Sequence, residues 1–311
     1  MRRDFVDTVS QMLQIKRRDL IEKDLILHQL LLDISHDEYL AGNFLFKGGT
    51  CLIKYYLGYF RFSEDIDFTW RDQEVFTGMT QKRIRRHLSE TIDKTGAVFE
   101  DVADNRQLDF MCDKGNRDYV ELGGGNKTFT LKLWYDSEIL DRRSFVKVQI
   151  NFVEKFCFLT SEAELKSLIS DGSKKIELLF PEYREYLNPI TFRVYDVREI
   201  LCEKVRAILT RVGVKARDFV DVYLINEKFG IDPEEYRDCI KEKTEFALKL
   251  YRKYRLNLRA KKPLIESKSL FKWGDEKDLL LRTINEKQFN KFNIKFLEYI
   301  KNIANILNKQ N

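Results

Sequence analysis

Two aspartates, Asp65 and Asp67, stand two residues apart in "RFSEDIDFTW", and a glycine pair, Gly48–Gly49, precedes them. Acids at i and i+2 of a strand project from one face. The alternation of Ile66 and Phe68 with the two aspartates has the period of a strand. Their carboxylates can converge on hard cations such as Mg²⁺ or Mn²⁺, which take oxygen ligands and are commonly held by one or two carboxylates plus substrate phosphates. A pair of such ions can clamp the attacking and leaving oxygens of a displacement at phosphorus. Glu64 points the other way by the same alternation. Gly48 and Gly49 allow close approach of backbone to a phosphate, and a short helix expected from Thr50, its N-cap, would aim amides at it. A turn for a triphosphate followed by a strand for metal suits nucleotidyl transfer. The plainer reading is a solvated strand edge after an ordinary turn.

Several elements must position these residues. Residues 1–40 read as helical, with a broad apolar face in "LIEKDLILHQLLLDIS". A basic amphipathic helix is expected over 80–96, and 97–160 reads as strand-rich. There "DYVEL", "GGGN" and "KTFTLKLWY" form a hairpin signal. "FVKVQINFVEKFCF" and "LNPITFRVYD" are further strands. From 196 the pattern turns helical: Val197, Ile200, Leu201, Val205, Ile208 and Leu209 share a face. This places a domain boundary near 195, giving 1–195 and 196–311.

The 311 residues are 43% hydrophobic and 34% charged, enough apolar material for a core. No apolar run approaches a membrane span, and the charged N-terminus is unlike a signal peptide. The five cysteines are scattered, with neither zinc spacing nor a disulfide framework, so a reduced, cytoplasmic protein is expected. The net charge of +5 is uneven: residues 241–311 hold 18 Lys/Arg against 8 Asp/Glu. A basic end suggests a polyanionic partner.

"FKGGTCLIKYYLGYFRFSEDIDFTW" resembles the first motif of the AbiEii/AbiGii toxin family of nucleotidyltransferases, a GGT-x-L turn and helix followed by R-F-S-x-D-I-D. "REILCEKVRAILTRVGVKARDFVDVYLI" resembles that family's helical motif, a Lys in E-K-x-x-A followed by R-D-x-x-D. The resemblance spans roughly residues 15–230. It implies an α+β fold: a polymerase beta-like nucleotidyltransferase core with a mixed sheet, an N-terminal helix and a C-terminal helical domain. It also implies a Mg²⁺-dependent toxin of a type IV toxin–antitoxin or abortive-infection system. Such a toxin uses an NTP, several members modify tRNA 3′ ends, and the cognate antitoxin is a separate protein.

Carried over by position, Gly48, Gly49 and Thr50 would form the phosphate turn. Ser63 would contact the nucleotide phosphates, Asp65 and Asp67 would hold Mg²⁺, and Lys204 would meet the triphosphate. Asp218 or Asp221 would be the final acidic position, with Arg217 as a partner. One departure stands out. Polymerase beta-like enzymes often carry a third metal carboxylate on a later strand, but here "FVKVQINF" presents Lys147, Gln149 and Asn151. Transfer to a small molecule or protein, or a degenerate nucleotide- or RNA-binding role, therefore stays open.

Outside the motifs, "KLYRKYRLNLRAKK" interleaves tyrosines with cations. Tyr251, Arg252, Lys253, Tyr254, Arg255 and Arg259 are candidate RNA contacts. The alternative is a solvated helix with tyrosines in the core. "KRIRRH" (82–87) reads first as an exposed helix face, with RNA contact as the alternative. "GGGN" reads as a hairpin turn, and "RDFVDVYLI" could equally be an interhelical salt-bridge stripe.

Overall fold

The computed structural model describes residues 2–170 and 173–309. The chain forms two compact units, one of 1–153 with 160–194, the other of 154–159 with 195–311. The fold is α+β with a mixed sheet, and helices occupy both ends of the chain.

The first unit holds a seven-stranded sheet. Its strands are β1 (Phe44–Lys47), β2 (Asp65–Trp70), β3 (Val120–Gly123), β4 (Thr128–Ser137), β5 (Arg142–Asn151), β6 (Ser161–Leu165) and β7 (Ile190–Val194), in the order β3-β4-β5-β2-β1-β7-β6. β2 runs parallel to β5 and β1 parallel to β7; the other pairs are antiparallel. Paired residues share a face, so the alternation in the sequence becomes a two-sided sheet. Phe46, Ile66, Phe68, Leu131, Val148 and Ile150 line one buried side.

Helices α1 (Arg3–Leu13), α2 (Arg18–His36), α3 (Glu38–Asn43), α4 (Gly48–Cys51), α5 (Gln81–Asn105) and α6 (Ser173–Leu179) complete this unit. α4 passes directly into a π-helical turn over Leu52–Leu57. The helix expected to begin at Thr50 instead begins at Gly48. Thr50 is therefore inside it, and its buried hydroxyl donates to the carbonyl of Asp65 rather than capping.

α5 also outruns its expected end at Gly96. Phe99, Val102 and Ala103 continue its buried stripe, and the bare α-carbon of Gly96 makes room for Cys112. The strand-rich region accordingly starts later than expected, and β5 stops at Asn151 rather than running on through "VEKFCF".

The second unit is helical: α7 (Val197–Thr210), α8 (Ala216–Phe229), α9 (Arg237–Leu250), α10 (Arg252–Ala260), α11 (Lys262–Glu266) and α12 (Glu286–Lys309). Phe219 and Tyr223 of α8 meet Phe296 and Phe289 of α12 edge to face, with ring centroids 5.5 and 5.4 Å apart.

The segment 154–159 is fastened to this unit by buried charge. Arg206 of α7 donates to both oxygens of Glu154 at 2.8 Å, and the amides of Cys157 and Phe158 donate to Glu199 at 2.9 Å. Cys157 is disulfide-bonded to Cys239 of α9, against the expectation of unpaired thiols. The two are 82 positions apart, and spacing alone carries no connectivity. Among the described residues no helix is long and apolar enough to cross a membrane.

Candidate active site

β1, the glycine turn and β2 form one construction. Asp67 of β2 stands opposite Lys47 of β1, the residue immediately before the turn. Gly48 has φ +76°, and a Cβ there would lie 2.9 Å from both Cβ and Cγ of Asp67. Only glycine meets both conditions. Gly49 is equally crowded: a Cβ would meet the Arg61 guanidinium at 2.7 Å and Ser63 Oγ at 3.1 Å. Arg61, almost fully buried, also donates to the carbonyl of Phe62 at 2.7 Å. The turn is thus seated against Asp67 on one side and Arg61 with Ser63 on the other. Replacing Gly48 with Ala should cost roughly 1–3 kcal/mol of stability through the left-handed backbone. Urea unfolding reads that loss, and the added methyl should also push Asp67 out of place.

Strand β5 supplies the other flank. In the parallel register Asp65 pairs with Lys147 and Asp67 with Gln149. Lys147 Nζ lies 3.0 Å from Asp65 Oδ2, and both side chains are partly open to solvent. The position beside Asp67 on the later strand is therefore held by the amide Gln149, not by a third carboxylate. Glu64 turns to Lys23 of α2 at 3.3 Å. Among the described residues no group of three or more His, Cys, Asp or Glu could hold a metal. The donor set is two carboxylates on one sheet face, which fits a Mg²⁺ that completes its shell with water and phosphate oxygens.

In the second unit Lys204 of α7 bonds both candidate acids of α8. Its Nζ lies 3.0 Å from Asp218 and 2.7 Å from Asp221. The two aspartates, three apart on one helix face, are buried. Arg211, not the expected Arg217, is the second cation on Asp218, at 2.7 Å. Burial alone would push the Asp218 carboxyl up, but Lys204 and Arg211 outweigh it and hold it below its ordinary value. This cluster is also the interhelical ion stripe that the sequence allowed.

α10 packs beside it within the same unit. Asn257 donates to Thr210 O at 2.8 Å and Lys261 to Ile208 O at 2.5 Å, satisfying carbonyls at the end of α7. Arg252, Lys253 and Arg259 are exposed, whereas Tyr251, Tyr254 and Arg255 are half-buried. The two tyrosine rings lie 5.0 Å apart, against each other.

Sequence reasoning passed over Lys47, Arg61 and Arg211, and named Lys147 without its partner. Alternation had already put Lys147 on the polar face of its strand. The missing signal was the register that sets it against Asp65.

The family model for nucleotidyl transferase AbiEii toxins of type IV toxin–antitoxin systems matches residues 29–308. No curated protein sequence matches the chain. The crystal structure of JHP933 from Helicobacter pylori is similar at 14% identity, covering 94% of each chain with a TM-score of 0.41. A second H. pylori crystal structure, described as that of a candidate nucleotidyltransferase, is similar at 14% identity and a TM-score of 0.41, covering 94% of this chain and 98% of that one.

Proposed function

Because this chain belongs to the nucleotidyl transferase AbiEii toxin family of type IV toxin–antitoxin systems, we propose that it transfers a nucleotide from an NTP to an RNA acceptor, with the tRNA 3′ end as the favoured target. The observation that carries this reading is the seating of Asp67 against Gly48, with Asp65 on the same strand face. A metal-binding pair of acids and a turn able to approach phosphate are thereby adjacent in one unit.

Asp65 and Asp67 would hold Mg²⁺, which supplies polarisation of the α-phosphate. Ser63 and the amides of the Gly48–Gly49 turn bind the triphosphate, with Thr50 anchoring the turn to β2. Lys204 is the cation that the family motif assigns to the triphosphate; within its own unit it is held by Asp218 and Asp221. The exposed cations of α10 are proposed to contact the RNA backbone. The partner implied by the family is a cognate antitoxin, and the proposed location is the cytoplasm, where NTP and tRNA are found.

Labelled NTPs with total tRNA test this reading, wild type beside Asp65→Ala/Asp67→Ala. Equal labelling by the two proteins would sink the site assignment.

A second reading, a degenerate protein that binds nucleotide without turnover, draws on Gln149 beside Asp67 and on Lys147 neutralising Asp65. Calorimetry that finds NTP binding where labelling finds none would favour it. The Lys147 ammonium competes with any cation for Asp65. Lys147→Met should therefore tighten Mn²⁺ binding about fivefold, the equivalent of a partly exposed ion pair. Spin-resonance titration of free Mn²⁺ measures this.

A further inference from the structure

The charge along α5 opposes its own dipole. Its first two turns carry Lys82, Arg83, Arg85 and Arg86 and no acid. Its later turns carry Glu90, Asp93, Glu100, Asp101 and Asp104 against Lys94. A helix N-terminus is the positive end, so cations there and acids near the C-terminus both destabilise it. Lys82 and Arg86 are also like charges four apart. All four basic residues are exposed, and among the described residues none has a carboxylate within ion-pair distance. The buried stripe of Ile84, Leu88, Ile92 and Phe99 holds α5 in place and has no need of these cations. Folding does not account for the patch.

We propose that Lys82, Arg83, Arg85 and Arg86 bind the phosphate backbone of the RNA acceptor, a contact made by the first unit and additional to α10. The proposal rests on the reading that the acceptor is RNA. Three of the four residues are arginines, whose planar forks match phosphate oxygens. A protein partner would call for an apolar anchor at the centre of the patch, yet no large hydrophobic residue between 71 and 110 is exposed.

The patch also has a place relative to the acids. Asn126 Nδ2 donates to Arg85 O at 3.2 Å, tying the start of α5 to the β3–β4 turn. Thr128, just after that turn, pairs with Asn151, and Asn151 pairs with Thr69 of β2. Asp67 is two residues from Thr69, about 7 Å along the strand. The patch therefore stands at the sheet end where β2 finishes, the end opposite the Gly48 turn, so an RNA held there has to run along the sheet to reach Asp65 and Asp67.

The test is anisotropy of labelled total tRNA across a salt series, comparing wild type with Lys82→Gln/Arg83→Gln/Arg85→Gln/Arg86→Gln. Binding near 0.1 M salt should weaken about 10- to 100-fold, and the slope of log affinity against log salt should shrink by about 3. NTP binding by calorimetry should not change. The melting temperature should equal or exceed that of wild type, because the conflict with the dipole is gone; a structural role would lower it.

Unchanged RNA affinity and slope overturn the proposal. If Arg252→Gln/Lys253→Gln/Arg259→Gln weakens binding while the α5 variant does not, the RNA reading stands and this surface falls. If wild type binds no tRNA at any salt, the RNA reading itself fails and takes the surface with it. Displacement of tRNA by polyglutamate as effectively as by polyadenylate, at equal charge, would reassign the patch to an acidic protein.

Discussion

Asp67→Asn is expected to lower nucleotide transfer about 10³-fold or more while the protein stays folded. The substitution keeps the shape of the side chain and removes its charge, so the Gly48 turn keeps its neighbour. What is lost is a carboxylate that the arrangement leaves without a substitute. Its register neighbour on β5 is Gln149, an uncharged amide, and Asp65 already shares an oxygen with Lys147. Removing a single preorganised hydrogen-bond donor to a developing transition-state charge typically costs a factor of about 10²–10³, and a metal ligand in a two-carboxylate set should lie at or beyond the upper end. Single-turnover labelling measures the rate, and circular dichroism with urea unfolding checks the fold. A rate within tenfold of wild type would remove Asp67 from the chemistry.

Glu199→Ala should cost about 3–5 kcal/mol of stability, the range for breaking a buried ion pair by removing one partner. Glu199 is buried, pairs with the buried Lys243, and accepts the amides of Cys157 and Phe158. Its removal strands two backbone donors. It also leaves an ammonium whose remaining carboxylates, Glu154 and Glu203, lie at 3.6 and 3.8 Å. Burial pushes the Lys243 ammonium toward neutrality, but the surrounding glutamates outweigh it and raise its pKa. The charge therefore remains when one acid is deleted. A loss of this size is a large share of an ordinary domain's stability. Urea unfolding of the oxidised protein measures it; a change below 1 kcal/mol would show that the network is not what holds 154–159 in place.

The local features were legible in the sequence because their causes are local. Alternation of Ile66 and Phe68 with the two aspartates predicted β2. The apolar periodicity from Val197 to Leu209 predicted α7, and "GGGN" between two alternating runs predicted the β3–β4 hairpin. The two family motifs, read on named residues, anticipated the family. The family match runs over residues 29–308, starting later than the resemblance read over roughly 15–230 and extending well past its end.

Pairing between distant segments was decided by tertiary structure. Whether Asp65 faces a lysine depends on the parallel register of β2 and β5, strands joined through α5 and a hairpin. Nothing in either strand's own pattern encodes that register. The same holds for Cys157 with Cys239, for Arg211 rather than Arg217 on Asp218, and for Arg61 behind Gly49. Residue types and periods determine which face a side chain takes. The partner on that face is chosen by long-range packing of apolar surface, because burying the common core sets the strands' alignment and the polar groups must then meet whatever lies opposite.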